Sequence, residues 1–143
     1  ALPISGAPDR VCNALYRFGY RVGMAFQITD DLLDLCGTEK TIGKPPGSDL
    51  RQGNITLPVM YALQEEDIRD ELLREIGRIR ESEGKADSRE AVRLVRSSGG
   101  IRKAEQLADR YIAKALKAAQ ELPDLPAKKS LIEIAKFVAE RKY

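Results

Sequence analysis

The sequence predicts an all-α chain whose helices form an antiparallel bundle. Apolar residues return every three to four positions through most of the 143 residues, which is the repeat of one face of a helix. No stretch alternates between apolar and polar residues in the period-two pattern of a strand. The connectors after residue 57 are short, and short connectors favour antiparallel neighbours.

The first predicted helix is long and runs from Pro8 to about Leu35. Pro8 suits a first helical turn and Gly37 suits a stop. The apolar positions of this helix follow the 3.6-residue repeat: Val11, Ala14, Leu15, Phe18, Val22 and Phe26. Residues 38–56 then form a Gly- and Pro-containing loop of 19 residues. A loop of this length is uncommon in a compact domain unless it has a function.

Five more helices are predicted after this loop. Thr56 is the expected N-cap of the first and Ser88 of the third, while Gly99 and Gly100 separate the third from the fourth. The apolar residues expected to face inward in the second are Ile68, Leu72, Leu73, Ile76 and Ile79. Those of the last, from about Ala127 to Arg141, are Leu131, Ile134, Ala135 and Val138.

Composition excludes several classes of protein. The 24 basic and 22 acidic residues are interspersed, so we expect no nucleic-acid partner. No apolar run approaches the ~18 residues of a membrane-spanning helix. The absence of His excludes histidine acid–base catalysis and most zinc sites. Cys12 and Cys36 show no disulfide pattern, which favours reduced thiols and a cytoplasmic location. Because the chain lacks an initial Met, we expect it to be cut from something longer.

Three acids near the end of the first helix form the sharpest candidate site. Asp30, Asp31 and Asp34 stand at i, i+1 and i+4, and with Gln27 they share one side of the helix. Negative charge at a helix C-terminus is disfavoured by about 0.3–1 kcal/mol per group, so a positive partner would stabilise it. A set of ligands made up only of oxygen atoms indicates Mg²⁺ as that partner. An acidic helix end that faces water is the alternative, with similar weight from spacing alone.

Two glycines lie on the same side of this helix as the acids. Gly19 and Gly23 each cost roughly 0.5–1 kcal/mol relative to Ala inside a helix. Together they would leave a groove in which a hydrocarbon tail could lie with its charged head at the metals. Close helix–helix packing explains the glycines equally well.

Lys44 follows the acids by ten residues, in Gly43-Lys44-Pro45-Pro46-Gly47. A lysine is a compact positive charge suited to phosphate. A lone loop lysine is more often an ordinary surface residue, and its place after the acidic cluster is what makes it a candidate.

These segments resemble the trans-isoprenyl (polyprenyl) diphosphate synthase family. Phe26 to Asp34, with the sequence FQITDDLLD, resembles the family's second aspartate-rich motif. Gly43 to Leu50 and Gly53 to Pro58 resemble the segment that follows this motif in long-chain members. Ile4 to Ala7 and Glu140 to Tyr143 are similar to bacterial heptaprenyl-type members. The resemblance covers essentially the whole chain, so residues 1–143 are expected to be the C-terminal half of one isoprenoid-synthase-type domain.

The resemblance implies a magnesium-dependent prenyltransferase, which adds isopentenyl diphosphate to an allylic diphosphate in a 1'-4 head-to-tail condensation. Three Mg²⁺ ions would bridge carboxylates on facing helices to the allylic diphosphate. The carbon–oxygen bond would ionise to an allylic cation, the double bond of isopentenyl diphosphate would attack it, and loss of a proton would restore an alkene.

The resemblance also implies a role for each candidate residue. Asp30, Asp31 and Asp34 would be metal-site residues, and Asp30, Asp31 and Lys44 the catalytic set. Lys44 would contact the allylic diphosphate. Phe26 and Gln27 would contact the substrate near the cation. Gly19 and Gly23 would lie along its hydrocarbon tail. Arg141 would lie near isopentenyl diphosphate.

The chain departs from the family pattern in one respect, because it has no first aspartate-rich motif. We therefore expect this segment alone to be inactive, and to be completed by missing residues or by another molecule. The complete protein would form either a homodimer or a heterodimer with a non-catalytic subunit. The alternatives are a non-catalytic helical subunit of a synthase, a class I terpene cyclase, and a generic helical interaction module.

Overall fold

The structure is a computed structural model that describes residues 3–38, 43, 45–83 and 85–140. Within these ranges it contains a 3-10 turn at Pro3–Ser5 and seven α-helices, and no strand. The helices are α1 (Asp9–Cys36), α2 (Ser48–Arg51), α3 (Leu57–Ala62), α4 (Glu66–Glu81), α5 (Arg89–Ser97), α6 (Gly100–Gln120) and α7 (Pro126–Glu140). The predicted all-α class is confirmed. None of these helices is both long and apolar enough to cross a membrane.

Helix α1 has the predicted length but a different buried face towards its end. It begins where the Pro8 carbonyl accepts the N–H groups of Val11 and Cys12, and it closes where Gly37 N–H donates to Leu33. The buried apolar side chains follow one stripe: Ala14, Phe18, Ala25, Ile28, Leu32 and Leu35. Phe26 does not belong to it, since 45% of the side chain is exposed. The prediction that placed Phe26 in the apolar repeat is wrong, because Ala25 and Ile28 occupy that face.

The predicted loop at 38–56 contains a short helix, α2, that the sequence pattern did not indicate. Four residues are too few to show a helical repeat. Gly47 precedes this helix in the left-handed conformation, with φ of +78°. Such a backbone favours glycine because other residues meet a steric penalty there.

The chain divides into two compact units, and α1 and α6 contribute residues to both. One unit comprises the described residues of Ala1–Gln27 and Leu107–Arg141. Its larger core cluster is rich in alanine, with Ala14, Phe18, Ala115, Ala118, Ala119, Leu122 and Ala135 buried. Ile134 was expected to face inward but is 51% exposed, because Ala135 and Val138 hold the buried face of α7.

The other unit comprises the described residues of Ile28–Gln106. Its core is built from larger side chains: Leu35, Leu50, Val59, Ala62, Leu72, Ile79, Ala91, Val92, Leu94 and Val95. Leu73 was expected in the core but is 50% exposed, since Leu72 takes the buried position. Thr56 and Ser88 occupy the predicted N-cap positions, but neither side chain makes the capping hydrogen bond.

Candidate functional site

The three acids of α1 lie in three different environments. Asp30 is exposed, Asp31 is half-buried and Asp34 is only 4% exposed. In the part of the chain that the structure describes, no three His, Cys, Asp or Glu side chains gather in a group that could hold a metal ion. The metal-site roles expected of Asp30, Asp31 and Asp34 therefore stay predictions. Asp34 differs from the other two because it turns towards the interior of its own unit.

Asp34 holds the backbone that leads into α2. Its Oδ2 accepts a hydrogen bond from Asp49 N–H at 3.1 Å, and its main-chain carbonyl accepts one from Gly47 N–H at 3.0 Å. A carboxylate that accepts a backbone N–H makes a stronger hydrogen bond than a neutral acceptor does. Asp34 therefore anchors residues 47–49 to the acidic end of α1.

Arg96 supplies positive charge at the C-terminus of α1. Its Nε donates to the Leu35 carbonyl at 2.6 Å, and its Nη2 donates to the Gly37 carbonyl at 3.3 Å. These bonds satisfy carbonyl groups that the helix end leaves without intrahelical partners. The guanidinium also offsets the negative end of the helix dipole, where the acids lie. The sequence indicates a positive partner for this helix end but does not identify Arg96, because a separation of about sixty residues gives no local signal.

Of the six other predicted site residues, four lie among the residues that the structure describes and two do not. Phe26, Gln27, Gly19 and Gly23 are all exposed on α1. A Cβ built on Gly19 or Gly23 would meet no described atom within 4 Å, so the described residues do not pack closely there. Lys44 and Arg141 lie outside the residues that the structure describes.

The two cysteines are free and half-buried. Burial raises the pKa of the Cys36 thiol, while the positive charge of Arg96 acts in the opposite direction and more weakly. A raised pKa keeps the thiol protonated, so Cys36 is a poor nucleophile and a poor metal ligand at neutral pH.

The chain matches a protein-family model. Residues 1–95 fit the family described as polyprenyl synthetase. A curated relative, heptaprenyl diphosphate synthase component 2 of Geobacillus stearothermophilus, is 40% identical over 139 residues. That alignment covers 97% of this chain and 42% of the relative.

Solved structures give the same result for the fold. Geranylgeranyl pyrophosphate synthetase of Pyrococcus horikoshii matches with a TM-score of 0.79 and 37% identity, over 94% of this chain and 41% of that one. Polyprenyl synthase of Caulobacter crescentus, complexed with calcium and isoprenyl diphosphate, matches with a TM-score of 0.78 and 32% identity, over 96% and 42%. The chain thus spans about two fifths of the length of these proteins.

Proposed function

From the premise that this chain belongs to the polyprenyl synthetase family, we propose that it is the C-terminal half of a trans-polyprenyl diphosphate synthase. The reaction is the transfer of an allylic group from its diphosphate to isopentenyl diphosphate. The observation that carries the proposal is the exposed Asp30 beside the half-buried Asp31 near the end of α1. This pair provides carboxylate oxygens that a metal-bound diphosphate can reach.

The donor chemistry fits Mg²⁺. This ion is usually held by one or two carboxylates together with waters and substrate phosphates, rather than by a complete protein cage. Asp30 and Asp31 supply two carboxylates, so a third from Asp34 is not required. We therefore assign Asp30 and Asp31 to the metal, and Asp34 to the backbone of residues 47–49. When bound, Mg²⁺ supplies charge neutralisation for the departing diphosphate.

The other candidate residues bind and orient the substrates in this proposal. Lys44 contacts the allylic diphosphate as a positive charge. Phe26 and Gln27 line the space beside the reacting carbon, where an aromatic ring face stabilises a cation by about 0.5–2 kcal/mol. Gly19 and Gly23 leave room for the tail, and Arg141 contacts isopentenyl diphosphate. The bond between C1 and oxygen of the allylic diphosphate breaks, with diphosphate as the leaving group. C1 then bonds to C4 of isopentenyl diphosphate, and loss of a proton restores the alkene.

The proposal includes a partner and a location. The name "component 2" of the Geobacillus stearothermophilus relative implies a second component in that enzyme. By analogy, we propose that this protein functions in the cytoplasm as a homodimer or as a heterodimer with a non-catalytic subunit.

The test is prenyl transfer by a full-length protein that contains this chain, with Mg²⁺, an allylic diphosphate and isopentenyl diphosphate. Asp30→Ala is expected to lower kcat about 10²–10³-fold, since it removes charge stabilisation at the leaving group. The matched control is Asp109→Ala, which removes an exposed acid from α6 and should leave kcat unchanged.

Two further measurements separate the alternatives. A terpene cyclase would consume the allylic diphosphate without isopentenyl diphosphate. A non-catalytic subunit would raise the turnover of another synthase while Asp30→Ala left that turnover intact. Full turnover by the Asp30→Ala protein would contradict the proposed function. The chain of 143 residues alone is expected to show no turnover.

A further inference from the structure

A cleft of about 560 Å³ lies along one face of α5. The described residues that line it are Pro46, Arg89, Val92, Arg93, Arg96 and Ser97. Three of these residues are arginines, and none of the described lining residues is acidic. Small-molecule sites in proteins typically have volumes of about 300–1,000 Å³. The cleft therefore has the size of a ligand site and a positively charged wall.

The three arginines share one face of α5. Residues 89, 93 and 96 stand at i, i+4 and i+7, which are positions on the same side of a helix. Side chains at this spacing have Cβ atoms about 5–6 Å apart, so two neighbouring guanidinium groups can contact one small anion. Each guanidinium can bind phosphate oxygens through two parallel N–H groups. The arrangement favours an anion that has several phosphate oxygens and more than one negative charge.

Two of the arginines have acidic neighbours. Arg93 Nη2 lies 2.6 Å from Glu90 Oε1, and Arg89 Nε lies close to Asp87 Oδ2. Both pairs are exposed to solvent, with 59% of the Arg93 side chain and 90% of the Arg89 side chain accessible. Exposed ion pairs contribute little to stability because water screens them. A multiply charged anion in the cleft can therefore replace these partners.

Arg96 donates to main-chain oxygens instead. Its bonds to the Leu35 and Gly37 carbonyls hold the guanidinium in place, and these neutral acceptors do not cancel its charge. A group that is already held loses less conformational freedom when a ligand binds. Val92 is only 4% exposed and adds an apolar part to the lining, as does Pro46. The cleft thus combines a fixed positive charge with apolar surface.

We propose that this cleft binds a small molecule that carries a diphosphate group, at residues other than Asp30 and Asp31. The arginines contact the diphosphate, and Val92 and Pro46 contact an apolar part of the ligand. Inorganic diphosphate and an isoprenyl diphosphate both carry the group that the arginines recognise. The inference concerns binding alone and does not require that the protein transfer a prenyl group.

The experiment is calorimetric titration of the full-length protein with inorganic diphosphate, with EDTA present to remove divalent cations. Arg93→Gln is expected to weaken binding about tenfold, since it removes a charge-assisted contact. The matched control is Arg74→Gln, which removes an exposed arginine of α4 whose Nε donates to the Asp70 carbonyl of its own helix. Its affinity should stay within about twofold of the wild-type value, because salt screens distant surface charges. Equal losses in the two variants would overturn the proposal.

Glu90→Gln provides a second variant, for which the opposite sign is expected. It removes the acid that competes for Arg93, so diphosphate should bind about threefold more tightly. Glu66→Gln is the matched control, since it removes an exposed acid from α4 and tests the effect of net charge alone. If Glu90→Gln bound diphosphate no more tightly than Glu66→Gln, the proposal would be wrong.

Lys44→Ala tests whether the diphosphate occupies the proposed substrate site instead. In EDTA this variant should lose less than about twofold in affinity, because its charge is not among those assigned to the cleft. Abolished binding in Lys44→Ala, together with unchanged binding in Arg93→Gln, would assign the diphosphate to the substrate site and overturn the proposal.

Titration with an isoprenyl diphosphate distinguishes the two sources of the diphosphate group. Tighter binding than that of the inorganic ion, with the same loss in Arg93→Gln, supports a prenylated ligand in the cleft. Equal affinity supports the inorganic ion. Absence of binding by both would overturn the proposal. A wild-type protein that binds diphosphate in EDTA but transfers no prenyl group would contradict the proposed function alone.

Discussion

Asp34 and Glu65 are two of the carboxylates in the Ile28–Gln106 unit that accept backbone N–H groups near the start of a helix, and they differ in their surroundings. Asp34 is 4% exposed and accepts from Asp49 N–H at the start of α2. Glu65 keeps 31% of its side chain exposed, accepts from Gly99 N–H at 3.1 Å ahead of α6, and pairs with Lys103 at 3.1 Å. The same hydrogen bond therefore occurs inside the acidic cluster and far from it in sequence. An acid in a recognisable motif can have a structural role.

Near each of these two carboxylates is a glycine at which an added Cβ atom would collide with neighbouring atoms: Gly47 near Asp34 and Gly100 near Glu65. At Gly47 the obstacles are the side chains of Val92 and Ser88, and φ is +78°. At Gly100 the obstacle is the Pro58 carbonyl oxygen, 2.5 Å from the Cβ position. In both places a carboxylate bonds backbone close to such a glycine, but only Glu65 accepts directly from a glycine N–H, that of Gly99.

Gly47→Ala is expected to lower the free energy of unfolding more than any other substitution considered below. The substitution adds left-handed backbone strain of roughly 1–2 kcal/mol to overpacking of about 1–3 kcal/mol, so we expect a loss of about 4 kcal/mol in unfolding free energy. Gly53→Ala is the control, since φ there is +83° but its Cβ position is open among the described atoms. It should cost only about 1–2 kcal/mol. If urea unfolding showed equal losses of unfolding free energy for Gly47→Ala and Gly53→Ala, the packing of Gly47 against α5 would contribute nothing to stability.

Gly100→Ala should follow, with a loss of about 2–3 kcal/mol. The new methyl meets main-chain atoms of Pro58 and Ala62, which yield less easily than side-chain ends. Gly77→Ala is the matched control in α4, where the Cβ position is open. Helix propensity predicts a gain of about 0.5–1 kcal/mol for that control. A neutral Gly100→Ala in thermal unfolding would contradict the close approach of α6 to Pro58.

Asp34→Ala is expected to cost about 2 kcal/mol, because the Asp49 N–H loses its acceptor in a buried place. Asp34→Asn should cost less, since the amide oxygen can still accept that bond. In a full-length protein, Asp34→Asn should also retain most prenyl-transfer activity, whereas Asp30→Asn should not. Loss of activity in Asp34→Asn at unchanged stability would return Asp34 to the metal site.

The smallest effect concerns Glu65 and depends on pH. The hydrogen bond from Gly99 N–H and the contact with Lys103 lower the pKa of Glu65 in the folded protein. The ionised form is therefore favoured by folding, and its contribution is present above the unfolded value of about 4.3 and lost as pH falls through the lower folded value. The difference in unfolding free energy between wild type and Glu65→Gln should shrink between pH 7 and pH 3.

Glu66→Gln is the control for that measurement, since Glu66 is an exposed neighbour in the first turn of α4. Its difference from wild type should change less over the same pH range. If the difference in unfolding free energy between wild type and Glu65→Gln grew as pH fell, the pKa of Glu65 would not be lowered in the folded protein.

Helix positions were largely predictable because apolar spacing is a local property of the chain. The predicted helix from Pro8 to about Leu35 is observed as Asp9–Cys36, and the all-α class follows from the same repeat. The errors fall where two neighbouring apolar residues compete for one face. Leu73 and Ile134 are exposed because Leu72 and Ala135 are buried, and the repeat alone does not select between such neighbours.

The candidate site was predictable only in part. The cluster of acids and the glycines of α1 stand out in the sequence because they share one helix. Arg96 bonds to Leu35 and Gly37, which are distant from it in sequence. Its targets are main-chain carbonyls, which have no sequence signature, so no motif could indicate it.

By itself, the sequence determined that this protein is helical, that its family is that of the polyprenyl synthetases, and that three acids lie together on one helix. The tertiary structure decided how those acids differ, with Asp30 exposed and Asp34 buried against Asp49. The physical reason is that helical spacing fixes the direction of a side chain relative to its own axis. Burial and hydrogen bonding depend on which other segment packs against that side.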